Sequence, residues 1–105
     1  MIVEYIRYQV EDLARRNELV AAYQQAALSL DRSPVCLSYE LSVCEENETD
    51  AILRIEWTST EDHLQIFRKS IEFRAFFAAI GPFLKQIVEM RHYTRTAVQR
   101  DKWPR

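Results

Sequence analysis

Glycine is nearly missing: Gly81 is the single one in 105 residues. Without glycines, backbone amides cannot wrap a phosphate in the GxGxxG or P-loop manner, so the conventional nucleotide sites are excluded. Cysteine is scarce too. Cys36 and Cys44 fall on one expected strand, roughly 26 Å apart if it runs straight, too far to bond to each other. No CxxC or HxxxH accompanies them, so they read as ordinary reduced strand residues. His63 and His92 are the two histidines, and a zinc site would need further ligands that the pattern does not place. No metal is expected.

Strong charge of either sign is also lacking. The formal net charge is −2, from 14 basic and 16 acidic residues. The Lys and Arg residues are scattered, without the basic stripe that nucleic acid would require. The longest apolar run falls far short of a membrane span. Met1-Ile2-Val3-Glu4 does not have the charged-then-apolar layout of a signal peptide. The expectation is a cytoplasmic protein with no nucleic-acid or membrane partner.

What is present suits one domain with a core: 48% of residues are apolar,. Ile2–Tyr8 is rich in β-branched and aromatic residues and reads as a strand. Ile2, Ile6 and Tyr8 share one face with Glu4; Val3 and Tyr5 share the other with Arg7. Glu11–Leu30 is a helix, with Leu13, Val20, Tyr23, Ala27 and Leu30 as its apolar stripe, stopped by Asp31-Arg32-Ser33-Pro34. Pro34–Val43 alternates, with Val35, Leu37, Tyr39, Leu41 and Val43 on one side. After the acidic loop Glu45–Asp50, Ala51–Trp57 places Ala51, Leu53, Ile55 and Trp57 on one face. Ser59-Thr60-Glu61-Asp62 caps a second helix to Ile80. Its apolar register changes from Leu64, Phe67 and Ile71 to Phe73, Phe76, Phe77 and Ile80, which predicts a break near Ser70. Gly81 suits a left-handed C-cap followed by Pro82. Ile87–Thr94 is a fourth strand, and Val98–Arg105 an irregular tail carrying Trp103.

The order β-α-β-β-α-β implies an α+β, ferredoxin-like protomer: a four-stranded antiparallel sheet with both helices on one face. The domain is expected over residues 1–96 and the tail over 97–105. The other sheet face would carry Glu40, Arg54 and Glu56, with Arg7, Glu89 and Arg91. Two such faces can oppose each other in a homodimer, where acids and bases of both chains pair. Strand one, apolar on both sides, and Trp103 favour that arrangement over a solvated face.

Several segments carry a resemblance: Ser33–Glu40, Glu56–His63, Phe67–Ser70, Phe73–Phe77 and Glu89–Tyr93. In this order and spacing the chain resembles the antibiotic biosynthesis monooxygenase family, the quinol-monooxygenase-like proteins with a dimeric α+β barrel. The resemblance implies a homodimer with a pocket between sheet and helices. It implies oxygenation of a small aromatic, phenol or quinol, with O2 as co-substrate and no cofactor. Relatives that degrade haem use an Asn on strand one, a Trp in helix two and a His near its end. This chain has Glu4-Tyr5, Ile66 and Phe76-Phe77 there, so haem degradation is rejected.

His63, in the first turn of helix two, is the leading candidate base: a neutral imidazole can remove a phenolic proton. Trp57 and Tyr39 are the candidate positioning groups, by stacking or hydrogen bonding, although both residue types also serve as plain core. Phe67, Phe73, Phe76 and Phe77 would wall the pocket. Met90 and His92 share a face of strand four, where His92 can contact substrate or move a proton. Arg91 can stabilise an oxyanion or sit in an interface ion pair. Two rival functions stay open: a non-catalytic dimer that binds a small apolar ligand, and an isomerase or decarboxylase of the same fold.

Overall fold

A computed structural model describes residues 1–102; Trp103 and the rest of the expected tail end lie outside the described residues. The elements are β1 (Ile2–Gln9), α1 (Leu13–Arg32), β2 (Cys36–Val43), β3 (Asp50–Trp57), the short α2 (Thr60–Asp62), α3 (Ile71–Ile80) and β4 (Ile87–Thr94). A five-residue π turn, His63–Phe67, continues α2, and a 3₁₀ segment, Gly81–Gln86, leads into β4. The sheet is four-stranded with order β2-β3-β1-β4, every pairing antiparallel. This is the α+β, ferredoxin-like architecture.

Both long helices cover one face. Leu19, Tyr23, Ala26 and Leu30 of α1 and Phe76 and Ile80 of α3 pack on Ile6, Tyr8, Leu53, Ile55 and Trp57. Burying each large apolar side chain is worth about 1.5–3 kcal/mol, so this layer is the main source of stability. The α1 stripe lies one residue off the expected one: Leu19 and Ala26 are buried rather than Val20 and Ala27, and Leu13 is exposed. Val20 and Ala27 instead border a cleft toward β2. Asp12 caps α1, its Oδ1 accepting from the Arg15 amide at 2.8 Å.

Two local expectations are corrected and a third holds. The β2–β3 register shifts between Cys36 and Ser38. This bulge turns Cys36, with Tyr39 and Leu41, toward the core and leaves Leu37 46% exposed. Strict alternation cannot foresee it, because one extra residue reverses the face of everything before it. Gly81 is right-handed (φ −51°, ψ −40°), and the chain turns on into the 3₁₀ segment instead of a left-handed cap. Nothing lies within 4 Å of where its Cβ would sit, so no close approach requires glycine either. The break near Ser70 is present: Ser70 ends the first stretch and caps α3, its Oγ accepting from the Phe73 amide at 3.2 Å.

The uncovered face of the sheet carries polar pairs within the chain. Glu56 accepts from Ser38 (3.2 Å) and is ion-paired with Arg95. Arg91 Nε stands 3.5 Å from Glu89. Tyr5 and Tyr93 meet edge to face at 5.6 Å. Among the described residues, no helix is long and apolar enough to cross a membrane.

Candidate active site

The β1 register decides where chemistry can occur. Ile2 stands opposite Trp57, Glu4 opposite Ile55 on one side and His92 on the other, and Ile6 opposite Met90. Antiparallel partners share a face. Glu4 therefore points into the helix-covered layer, among the core residues, and is 1% exposed.

A cavity of about 130 Å³ lies in that layer, between the sheet and α3. Phe67, Phe73, Phe76 and Phe77 wall it from the helical side, and Ile6 and Met90 from the sheet. Ser70 separates the turn that carries Phe67 from α3, and the two stretches meet edge to face, Phe67 lying 5.6 Å from Phe73 and 5.7 Å from Phe76. Glu4, His63 and Arg68 gather at one polar corner of this apolar lining.

The corner is tightly wired. Trp57 Nε1 donates to Glu4 Oε1 at 3.1 Å. The Trp57 indole stacks on the His63 imidazole, centroids 4.4 Å apart and planes 11° from parallel. His63 Nδ1 lies 2.9 Å from His92 Nε2, and Arg68 Nε donates to His63 Nε2 at 3.4 Å. Arginine can only donate. That assigns the tautomer: Nε2 of His63 accepts, so Nδ1 carries the hydrogen and donates to His92. Glu4 Oε2 is buried with no hydrogen-bond partner among the described residues, 3.7 Å from His92 Nε2.

Burial pushes the Glu4 carboxyl above the usual carboxylate range, against the opposing pull of the Trp57 hydrogen bond and the charges of His92 and Arg68. Burial, then the Arg68 charge and His92, hold His63 down at about 4, so it is neutral at neutral pH,. A titratable pair shifted in this way is what acid–base sites look like.

Glu4, His63 and His92 also bring ligand atoms within 4.8 Å of one another, a set able to hold a metal ion,. That gathering was not expected from the sequence. Two observations weigh against a cation there. The two imidazoles already bond to each other, and the Arg68 guanidinium beside His63 repels further positive charge.

The structure thus assembles Trp57, His63, Phe67, Phe73, Phe77 and Met90 around one cavity, with His92 adjoining through His63. Tyr39 is not among them. Its hydroxyl donates to Asp31 at 2.6 Å, and its ring borders the separate cleft of about 200 Å³ between α1 and β2. Tyr39 keeps the expected face, opposite Ile55, but β2 is the sheet edge remote from β4. Trp57 is also committed: one face to His63, its N–H to Glu4. Glu4 and Arg68 were missed as site residues. The signal for Glu4 was an acid on an otherwise apolar strand face; for Arg68 none stood out.

Comparison with known proteins agrees with this architecture. A protein of Bordetella bronchiseptica provisionally described as an antibiotic biosynthesis monooxygenase has the same fold (TM-score 0.74, 21% identity, 90% of this chain and 96% of that one). So does SnoaB of Streptomyces nogalater, described as a cofactor-independent oxygenase (TM-score 0.68, 16% identity, 99% and 97%). The Bacillus subtilis protein YczJ, itself uncharacterised, is 29% identical over 77 residues, 73% of this chain and 81% of its own length. The antibiotic biosynthesis monooxygenase family model matches residues 1–79. With three-quarters of its length matched by that model and its aromatic cavity set in that fold, the chain belongs to the antibiotic biosynthesis monooxygenase family.

Proposed function

We propose that the protein is a cofactor-independent monooxygenase of a single-ring phenol or quinol. One observation carries the reading: a ring-sized apolar cavity with a buried carboxyl and the neutral His63 imidazole at one corner. An engineered apolar cavity of about 150 Å³ accommodates benzene, so about 130 Å³ suits one ring rather than a fused system. Family membership and the description of SnoaB support the reaction type.

The chemistry needs no external reductant. A phenol with a free para position plus O2 gives a para-quinone plus water: one oxygen atom enters the ring, the other leaves as water, and the substrate supplies all the electrons. The protein's task is to take the hydroxyl proton, because the phenolate is the electron-rich form that gives an electron to O2. Both His63 nitrogens are engaged, so we place the base at Glu4, whose Oε2 is free. Its raised pKa brings it closer to that of a phenol, which helps a general base. His92, with its side chain 27% exposed, links the corner to solvent.

Oxygen uptake by metal-free protein on a panel of single-ring phenols with a free para position tests this. Glu4→Gln keeps the acceptor for Trp57 and removes the base, so turnover should fall by about 10²–10⁴-fold. A Glu4→Gln protein that turns over at the wild-type rate would refute the assignment. The same carboxyl–imidazole pair also suits an isomerase on a cyclic substrate; product formation without O2 would select that reading.

We also propose that the uncovered sheet face joins two copies in a homodimer. Ile52 and Tyr93 on that face are 36% and 47% exposed, with no helix or strand over them among the described residues. An uncovered patch of this kind marks an interaction surface. Sedimentation at micromolar concentration should give twice the chain mass; a monomer would end this reading.

A further inference from the structure

We propose that the cavity holds its ring compound as an oxyanion, and that Arg68 is the group that binds the negative oxygen. The inference rests on the reading above that the ligand is a hydroxylated ring, and it narrows that class to compounds able to carry a negative oxygen inside the pocket.

Arg68 borders the cavity at its polar corner. Its Nε reaches His63 Nε2 at 3.4 Å, and its guanidinium carbon stands 5.7 Å from the Phe73 ring centroid. The planar head thus spans from the imidazole to an aromatic wall. No hydrogen bond or ion pair among the described residues uses its two Nη atoms. A guanidinium presents a fork of donors suited to a carboxylate, phosphate or phenolate oxygen. Arg68 is itself an exposed residue, so this fork is open to solvent where it borders the cavity.

Its charge acts on Glu4 and His63. Arg68 is the one cavity-lining side chain with a permanent positive charge. When a bound phenol loses its proton to Glu4, the O–H bond breaks and a carboxyl O–H bond forms. One negative charge moves from the carboxylate to the ring oxygen. The corner's net charge does not change, and Arg68 balances it before and after. Without Arg68, that charge would lie uncompensated in an apolar cavity, which is costly.

The test uses 4-nitrophenol, whose phenolate absorbs visible light and whose neutral form does not, under anaerobic conditions. At about one pH unit below the probe's own pKa, the wild-type protein should bind it with the phenolate spectrum. Arg68→Met should bind about tenfold more weakly and show the neutral spectrum, the loss expected for one charge-assisted contact. Arg68→Lys should restore part of the phenolate band. The neutral analogue 4-nitroanisole should bind wild type and Arg68→Met equally, which also shows that the variant is folded. Neutral probe in the wild-type site, an unchanged phenolate band in Arg68→Met, or no binding of either compound would overturn the inference. Phenolate binding without oxygen uptake on any phenol would leave it standing and remove the monooxygenase reading. Oxygen uptake with the probe bound neutral would do the reverse.

Discussion

Replacing His63 with Phe should make the protein less sensitive to acid. In the fold His63 is 2% exposed, and its pKa is lowered from 6.5 to about 4, chiefly by burial. Below about 6.5 the unfolded chain takes up a proton at this position, while the folded chain refuses it until about 4. The unfolded state then binds more protons, so stability falls as pH falls. The full shift is worth about 3 kcal/mol, and about 2 kcal/mol of it is already lost at about pH 5 relative to about pH 7.5. Phenylalanine keeps the stack on Trp57 and carries no proton. It also loses the contacts to His92 and Arg68, so the variant can be less stable at every pH. The diagnostic is therefore the difference between the two proteins. Urea unfolding at both pH values should show wild type losing about 2 kcal/mol more than His63→Phe between them. Carboxylates that titrate in both proteins cancel. An equal loss in the two proteins would mean that His63 is not held neutral, and the tautomer assigned from Arg68 would fall with it.

Three further outcomes follow from separate contacts. Ser70→Ala removes the cap of α3 and should cost about 1 kcal/mol in chemical denaturation,. Tyr8→Phe leaves the buried Tyr23 hydroxyl without its 2.5 Å partner and should cost about 1–3 kcal/mol,. The double variant Tyr8→Phe/Tyr23→Phe should recover part of that loss, and a strictly additive cycle would show that the two hydroxyls are not coupled. Phe77→Ala, at a cavity wall residue that is 45% exposed, should widen the site at little cost to Tm. It should shift ligand preference from one-ring to two-ring compounds, read as relative Kd for phenol and naphthol; an unchanged ratio would place the ligand elsewhere.

The fold was legible where periodicity is strong. Leu53, Ile55 and Trp57 alternate cleanly, Ser59 marks a helix start by side-chain chemistry that acts within three residues, and the change of apolar register places the break near Ser70. The aromatic wall was legible for the same reason. What escaped was set by contacts distant in sequence. Glu4 interrupts an apolar strand face and reads as a blemish until β4 brings His92 opposite it. Arg68 looks like any charged helix residue until the turn that carries it lies over the cavity. Tyr39 borders the other cleft because the strand order, not visible in alternation, sets β2 at the sheet edge remote from β4.

The π turn has a consequence for how this site can vary. The Arg68 amide bonds back to the His63 carbonyl at 3.0 Å, five residues earlier, so the loop of backbone between them is one residue wider than an ordinary helical turn. Such widened turns often sit at functional sites. Deleting any one residue within it would tighten the coil and rotate imidazole and guanidinium apart, even with both still encoded. The spacing of this stretch, and not only its letters, is therefore what inheritance must preserve.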